Sequence, residues 1–119
     1  MESTKLSDNL NLPDEELIRQ VLAQYERAIE TEDISLYRSA KPNVTGEEQS
    51  RLEASFAAMD SHAVELNVQT LRVEGDSATA EIARQDVIDA GGQQRTNSSQ
   101  QTFTFSKQNG RWVIVRTGR

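Results

Sequence analysis

The sequence contains no cysteine. Disulfides, thiolate metal sites and a cysteine nucleophile are therefore excluded, and the composition suits a cytoplasmic protein. The single histidine, His62, has no second histidine at metal-ligand spacing and no G-x-S-x-G elbow nearby. It reads as a polar residue at a helix–strand junction, and no cofactor or metal is expected. No apolar run is long enough to span a membrane, and "MESTKLSDNLNLP" lacks the apolar stretch of a signal peptide. Residues 1–12 are expected to be a flexible lead into one domain over residues 13–119. Only six residues are aromatic, and hydrophobic residues make up 35%. Such a core is modest, so burial in a dimer or around a ligand is expected to supplement it. No Gly-rich phosphate loop and no basic–aromatic stripe is present, and the sequons "NVT" and "NSS" read as chance matches to a short pattern.

What charge there is falls unevenly. Residues 1–62 hold 6 Lys/Arg and 13 Asp/Glu, a net of −7, whereas residues 63–119 hold 7 and 6, a net of +1. The acidic half repels phosphate backbones and anionic lipids, which argues against nucleic acid and membrane partners. The near-neutral half is the better candidate for a protein–protein surface.

The two halves also differ in period. Leu17, Ile18, Val21, Leu22, Tyr25, Ala28 and Ile29 recur at helical spacing in "PDEELIRQVLAQYERAIETED". Pro13 and the acids Asp14, Glu15 and Glu16 suit its N-terminus. "DISLYRSA" predicts a short second helix with Asp33 as N-cap, ended by Pro42. "TGEE" predicts a capping box, Thr45 with Glu48, opening a third helix with Leu52, Phe56 and Met59 as its stripe. After His62 the period drops to 2. Val64, Leu66 and Val68 alternate, and the phase then slips to Leu71 and Val73, which predicts a β-bulge. "EGDS" is a turn, "ATAEIARQDVID" a second strand, "GGQQRTNS" a loop, "SQQTFTFSK" a third strand and "RWVIVRT" a fourth. Asn109-Gly110 is a strong hairpin signal.

Three helices followed by antiparallel hairpins define an α+β architecture: helices packed in the concave face of a curved sheet of about four strands, a cone with an internal pocket. The pocket is expected to be lined by Tyr25, Ile29, Tyr37, Phe56, Ile82, Arg84, Asp86, Phe103, Phe105, Trp112, Ile114 and Arg116. Trp112 is expected near the helix face that carries Tyr25. If Ile82 and Ile114 face inward, period 2 carries Arg84, Asp86 and Arg116 to the same face nearer a strand end. There an Arg fork could bind a carboxylate-bearing ligand. Tyr25 and Asp86 are the two candidates for catalysis.

The long first helix running into "AIETEDISLY", the "VEGDSATAEI" after a bent strand and the closing "FTFSKQNGRWVI" resemble the nuclear transport factor 2-like superfamily of cystatin-like α+β cones. The resemblance covers roughly residues 14–118. The group includes ketosteroid isomerase, scytalone dehydratase and SnoaL-type cyclases. In the isomerase a first-helix Tyr donates to the substrate oxygen and an Asp is the base; Tyr25 corresponds to that Tyr. The segment that normally supplies the base is here "KPNVTGEEQSRLEASF", in which Glu47 and Glu48 suit a helix N-terminus. The resemblance therefore implies a bacterial member that is a non-catalytic small-molecule-binding or dimerisation module, appended to or associated with a regulatory protein. It is expected to form a homodimer through its sheet and to accept a small apolar or carboxylate-bearing ligand. The alternative is a small isomerase, dehydratase or cyclase working by proton transfer in the cone.

Overall fold

The computed structural model describes residues 13–118. The expected flexible lead, residues 1–12, lies outside them. Helix α1 runs Asp14–Glu30, α2 Ile34–Ala40 and α3 Gly46–Ala58. Ile18, Leu22, Tyr25, Ala28 and Ile29 form the buried stripe of α1, as their spacing requires. Its first-turn acids meet the positive end of the helix dipole. Beyond Thr31 the chain reverses through Glu32, whose φ is 55°. The Asp33 carboxylate then accepts from the Leu36 N–H at 3.0 Å and starts α2. Asp33→Ala is expected to lower stability by about 1 kcal/mol, the usual worth of an N-cap; urea unfolding of the variant checks this.

At α3 half of the expected capping box forms. The Thr45 hydroxyl accepts from the Glu48 N–H at 3.0 Å. The Glu48 carboxylate does not return to Thr45. It pairs instead with Lys41 Nζ at 3.1 Å, because Lys41 is buried to 7% exposure and needs a counter-charge.

Four strands, β1 Ser61–Glu74, β2 Ser77–Ala90, β3 Gln93–Gln108 and β4 Arg111–Gly118, form one antiparallel sheet in sequence order. The phase slip in β1 is a bulge. Val68 pairs with Ile82 and Thr70 with Glu81, leaving Gln69 as the extra residue. Leu66 and Leu71 can thus both face α1 although their spacing is odd. The sheet edge at Leu66 is closed from the helix side: its N–H donates to the Glu26 carboxylate at 2.8 Å. Burial pushes the Glu26 carboxyl above its ordinary value, against the opposing pull of that hydrogen bond.

The segment read as the loop "GGQQRTNS" is mostly strand. Only Gly91 and Gly92 turn, with φ of 60° and 81°, and Ala90 pairs with Gln93 directly across them. Residues 93–98 are exposed, so no apolar alternation marks them as a strand. The register of β2 carries the ladder outward without it. Asn109 and Gly110, with φ of 54° and 77°, close the β3–β4 hairpin as their dipeptide predicts.

Candidate functional site

α1 crosses the inner face of the sheet, and most of the expected pocket side chains pack there against one another. Tyr25, Ile29, Tyr37, Phe56, Ile82, Phe103, Phe105, Trp112 and Ile114 are all buried in one cluster. The Tyr25 ring lies edge-on to Phe103 at 5.6 Å and tilted against Tyr37 at 5.3 Å. Trp112 packs in the same cluster against α1, and its indole N–H donates to the Asp14 carboxylate at the start of that helix at 3.0 Å. That bond, with Lys107 beside it, holds the Asp14 carboxyl below its ordinary value.

Polar side chains gather where the sheet runs past the middle of α1. On β2, Arg84 and Asp86 follow Ile82 on the inner face, as the alternation predicts. Arg84 grips Asp86 with Nε to Oδ1 at 2.9 Å and Nη2 to Oδ2 at 3.0 Å. Its Nη1 donates to the Tyr25 hydroxyl and to Gln101 Oε1, each at 3.3 Å. Four of the five guanidinium N–H groups are thus engaged. The guanidinium carbon also lies 5.8 Å from the Tyr25 ring centre. From β1, His62 Nε2 reaches Asp86 Oδ2 at 2.7 Å. Burial alone would raise the Asp86 carboxyl, but the bonds from His62 and Arg84 outweigh it and hold the group below its ordinary range.

On the far side of Tyr25 a second polar group follows. The Tyr37 hydroxyl donates to Glu48 Oε2 at 3.4 Å, and Glu48 in turn accepts from Lys41. Burial pushes the Tyr37 hydroxyl well above its ordinary value, and the neighbouring Tyr25 and Glu48 add to the shift. Asn43 joins this group to the sheet by donating to the Val115 carbonyl at 2.8 Å.

Arg116 does not join Arg84 and Asp86. Ile114 pairs with Phe105 but Arg116 pairs with Thr104, so Val115 is an extra residue and β4 turns over there. Arg116 is exposed on the outer face, and Thr117 faces Phe103 in its place. His62 was read as a junction residue, yet it enters the cluster. Extending the alternation of Val64 and Leu66 back by one step places it on the inner face. Lys41 and Gln101 carried no sequence signal, and Glu48 was read only as a helix cap, because their partners lie on other elements.

Chemically, the cluster has its charges paired. The Asp86 carboxylate is saturated by a guanidinium fork and an imidazole, which is unlike a poised general base. Among the described residues no group of three or more His, Asp or Glu side chains could hold a metal ion, and no helix is long and apolar enough to cross a membrane. Open space lies in surface grooves, including one of about 230 Å³ bordered by Leu17, Val21 and Trp112.

This architecture, three helices against a four-stranded antiparallel sheet, is the NTF2-like, cystatin-like α+β fold. The chain belongs to the family "Calcium/calmodulin dependent protein kinase II association domain", which matches residues 14–119. A conserved protein from Planctomyces limnophilus superposes with a TM-score of 0.82 at 15% identity, over 89% of this chain and 94% of its own. An NTF2-like protein with a cystatin-like fold from Novosphingobium aromaticivorans has a TM-score of 0.71 at 23% identity, over 96% and 86%. A proposed dehydratase of the NTF2-like family from Streptomyces avermitilis has a TM-score of 0.75 at 15% identity, over 87% and 93%. No curated protein matches the chain.

Proposed function

We propose that this chain is a non-catalytic association module, cytoplasmic, that forms a homodimer through the outer face of its sheet. The observation that carries the reading is the state of Asp86. It is the inward carboxylate best placed to act as a base, and it is tied by Arg84 at 2.9 and 3.0 Å and by His62 at 2.7 Å. Freeing it would break a charge pair in a largely dry site. The aromatic residues that would shape a deep pocket are packed as core instead. The family's name, an association domain, and the long polar sheet face both fit assembly. Any small carboxylate-bearing or apolar ligand would bind in the open grooves, in support of assembly.

Light scattering on the purified chain at about 50 μM, a concentration at which a micromolar dimer is mostly formed, should give twice the chain mass. A monomer at that concentration would remove the reading.

One observation favours a second reading, the proton-transfer enzyme. His62 and Asp86 form a dyad whose Arg84 neighbour contacts the Tyr25 hydroxyl, so imidazole, carboxylate and phenol lie along one path. Tyr25→Phe separates the readings. In the association module it lowers stability by about 0.5–1.5 kcal/mol, one neutral hydrogen bond, and leaves the dimer intact. In the enzyme it lowers turnover of a ketosteroid or dehydratase substrate about a hundredfold.

A further inference from the structure

Among the described residues Lys41 is the one charged side chain counted as buried, at 7% exposure. A long cation is rarely buried without an anion against it. Its Nζ meets Glu48 Oε2 at 3.1 Å, Glu48 Oε1 at 3.3 Å and Asn43 Oδ1 at 3.4 Å. The Tyr37 hydroxyl donates to the same Glu48 Oε2 at 3.4 Å. Burial raises that hydroxyl far above its ordinary value, so it stays a donor at neutral pH. An ammonium and a phenol, from α2 and the turn after it, thus hold both oxygens of one carboxylate. The neighbouring Glu47 takes no part, because it pairs with the exposed Arg51 at 3.4 Å.

The donors are fixed independently of Glu48. Tyr37 stacks at a tilt on Tyr25 at 5.3 Å, and Asn43 pins the turn beside Lys41 to β4 by donating to the Val115 carbonyl at 2.8 Å. The carboxylate is held less firmly. The Glu48 side chain is 28% exposed and rides on α3, the most lightly packed of the three helices. Phe56 is the only buried residue of α3, Leu52 adds a partly buried contact, and Arg38 ties Gln49 at 2.7 Å. A fixed pair of donors around a carboxylate that can swing out to water is a binding site with an occupant already in it.

We propose that Lys41 and Tyr37 form a carboxylate-binding site that the chain's own Glu48 occupies, and that an external carboxylate entering it releases α3. The exchange keeps the buried ammonium paired, since one carboxylate replaces another. The site is apart from the open surface grooves, is closed until Glu48 leaves, and does not depend on self-association. A tethered competitor acts at an effective concentration in the millimolar range. A ligand that displaces it must therefore add contacts beyond its carboxylate group.

Acetate is the minimal probe, with chloride at equal ionic strength as control. The full chain is compared as wild type, Glu48→Ala and Lys41→Met/Glu48→Ala. The Thr45 cap uses the backbone N–H of residue 48, so it survives the substitution. In Glu48→Ala the empty site should take up acetate, and about 100 mM should raise the melting temperature by about 3–6 °C over chloride for a millimolar dissociation constant. Wild type should shift by less than about 1 °C under the same conditions, because Glu48 already fills the site. The double variant should not respond. Equal melting of Glu48→Ala in acetate and chloride, an equal shift in wild type, or a response kept by the double variant would each overturn the site. Hydrogen exchange reads the latch. Residues 46–58 should exchange about tenfold faster or more in Glu48→Ala than in wild type. In wild type, acetate at about 0.5 M, well above the tethered concentration, should speed the same residues relative to chloride. Exchange of α3 indifferent to both changes would overturn its release. If Glu48→Ala does not fold, Glu48→Gln, which keeps the side-chain volume and loses the charge, takes its place under the same criteria.

Discussion

Trp112→Ala is expected to remove about 3–5 kcal/mol of stability, the range for deleting a large buried aromatic. The indole is 3% exposed and stands at the start of β4, against the first turn of α1. Its loss leaves a cavity between helix and sheet that the backbone of a tight Asn-Gly hairpin cannot collapse to fill. It also takes the N–H that Asp14 accepts from, leaving that carboxylate with Lys107 at 3.4 Å. With so few aromatics in the core, little else compensates. Chemical denaturation followed by circular dichroism gives the value. A loss below about 1 kcal/mol would show that the indole is not a core side chain, since buried aromatic truncations cost several times that.

Asp86→Asn should be nearly as damaging at neutral pH and harmless in acid. The Arg84 and Asp86 side chains are 15% and 14% exposed, so the substitution strands a guanidinium in a mostly dry site. Breaking such a pair costs about 3–5 kcal/mol when fully buried, and about 2–4 is expected here because some water reaches it. The pH dependence follows from the depressed Asp86 carboxyl. A carboxyl with a lower pKa in the folded state contributes stability that is fully present above its unfolded value of about 3.9. That contribution disappears as the pH falls through the lower folded value. Wild type should therefore lose stability on acidification below about pH 4, while Asp86→Asn lacks this component of the loss. The gap between their melting temperatures should close in that window. A gap that stays constant down to pH 3 would mean that the Asp86 charge contributes nothing.

Most of the architecture is legible because it is written in local periods. The α1 stripe, the Asp33 cap, the Val68–Leu71 slip and the Asn109-Gly110 turn each declare themselves within a few residues, and each is where the pattern puts it. The errors share one cause. Strand residues 93–98 are exposed and are held in the sheet by β2, so no alternation reveals them. Arg116 leaves the inner face because Val115 is a bulge. Trp112, Val113 and Ile114 are all buried, so the run shows no alternation from which to read the change. In the site, Arg84, Asp86 and Tyr25 follow from phase. The use of His62 as a second partner for Asp86 depends on β1 lying beside β2, which strand-by-strand reading does not reach. Glu48 shows the same limit, since its cap-like position hides a pairing with Lys41 and Tyr37 from α2 and the turn after it.

The two bulges also decide where this chain can change length. Removing one residue from the middle of a strand normally inverts every side chain beyond it, exchanging core for surface. Gln69 and Val115 are exceptions. Each is the residue left over when the ladder is counted, so its excision would keep Leu71, Val73 and Arg116 on the faces they now occupy. What would be lost is curvature, because a bulge bends its strand and increases its twist. A flatter sheet would wrap less closely around α1. These two positions and the hairpin tips are therefore where a change of length disturbs the fold least, and a variant shortened at Gln69 or Val115 would retain its core pattern while opening the concave side.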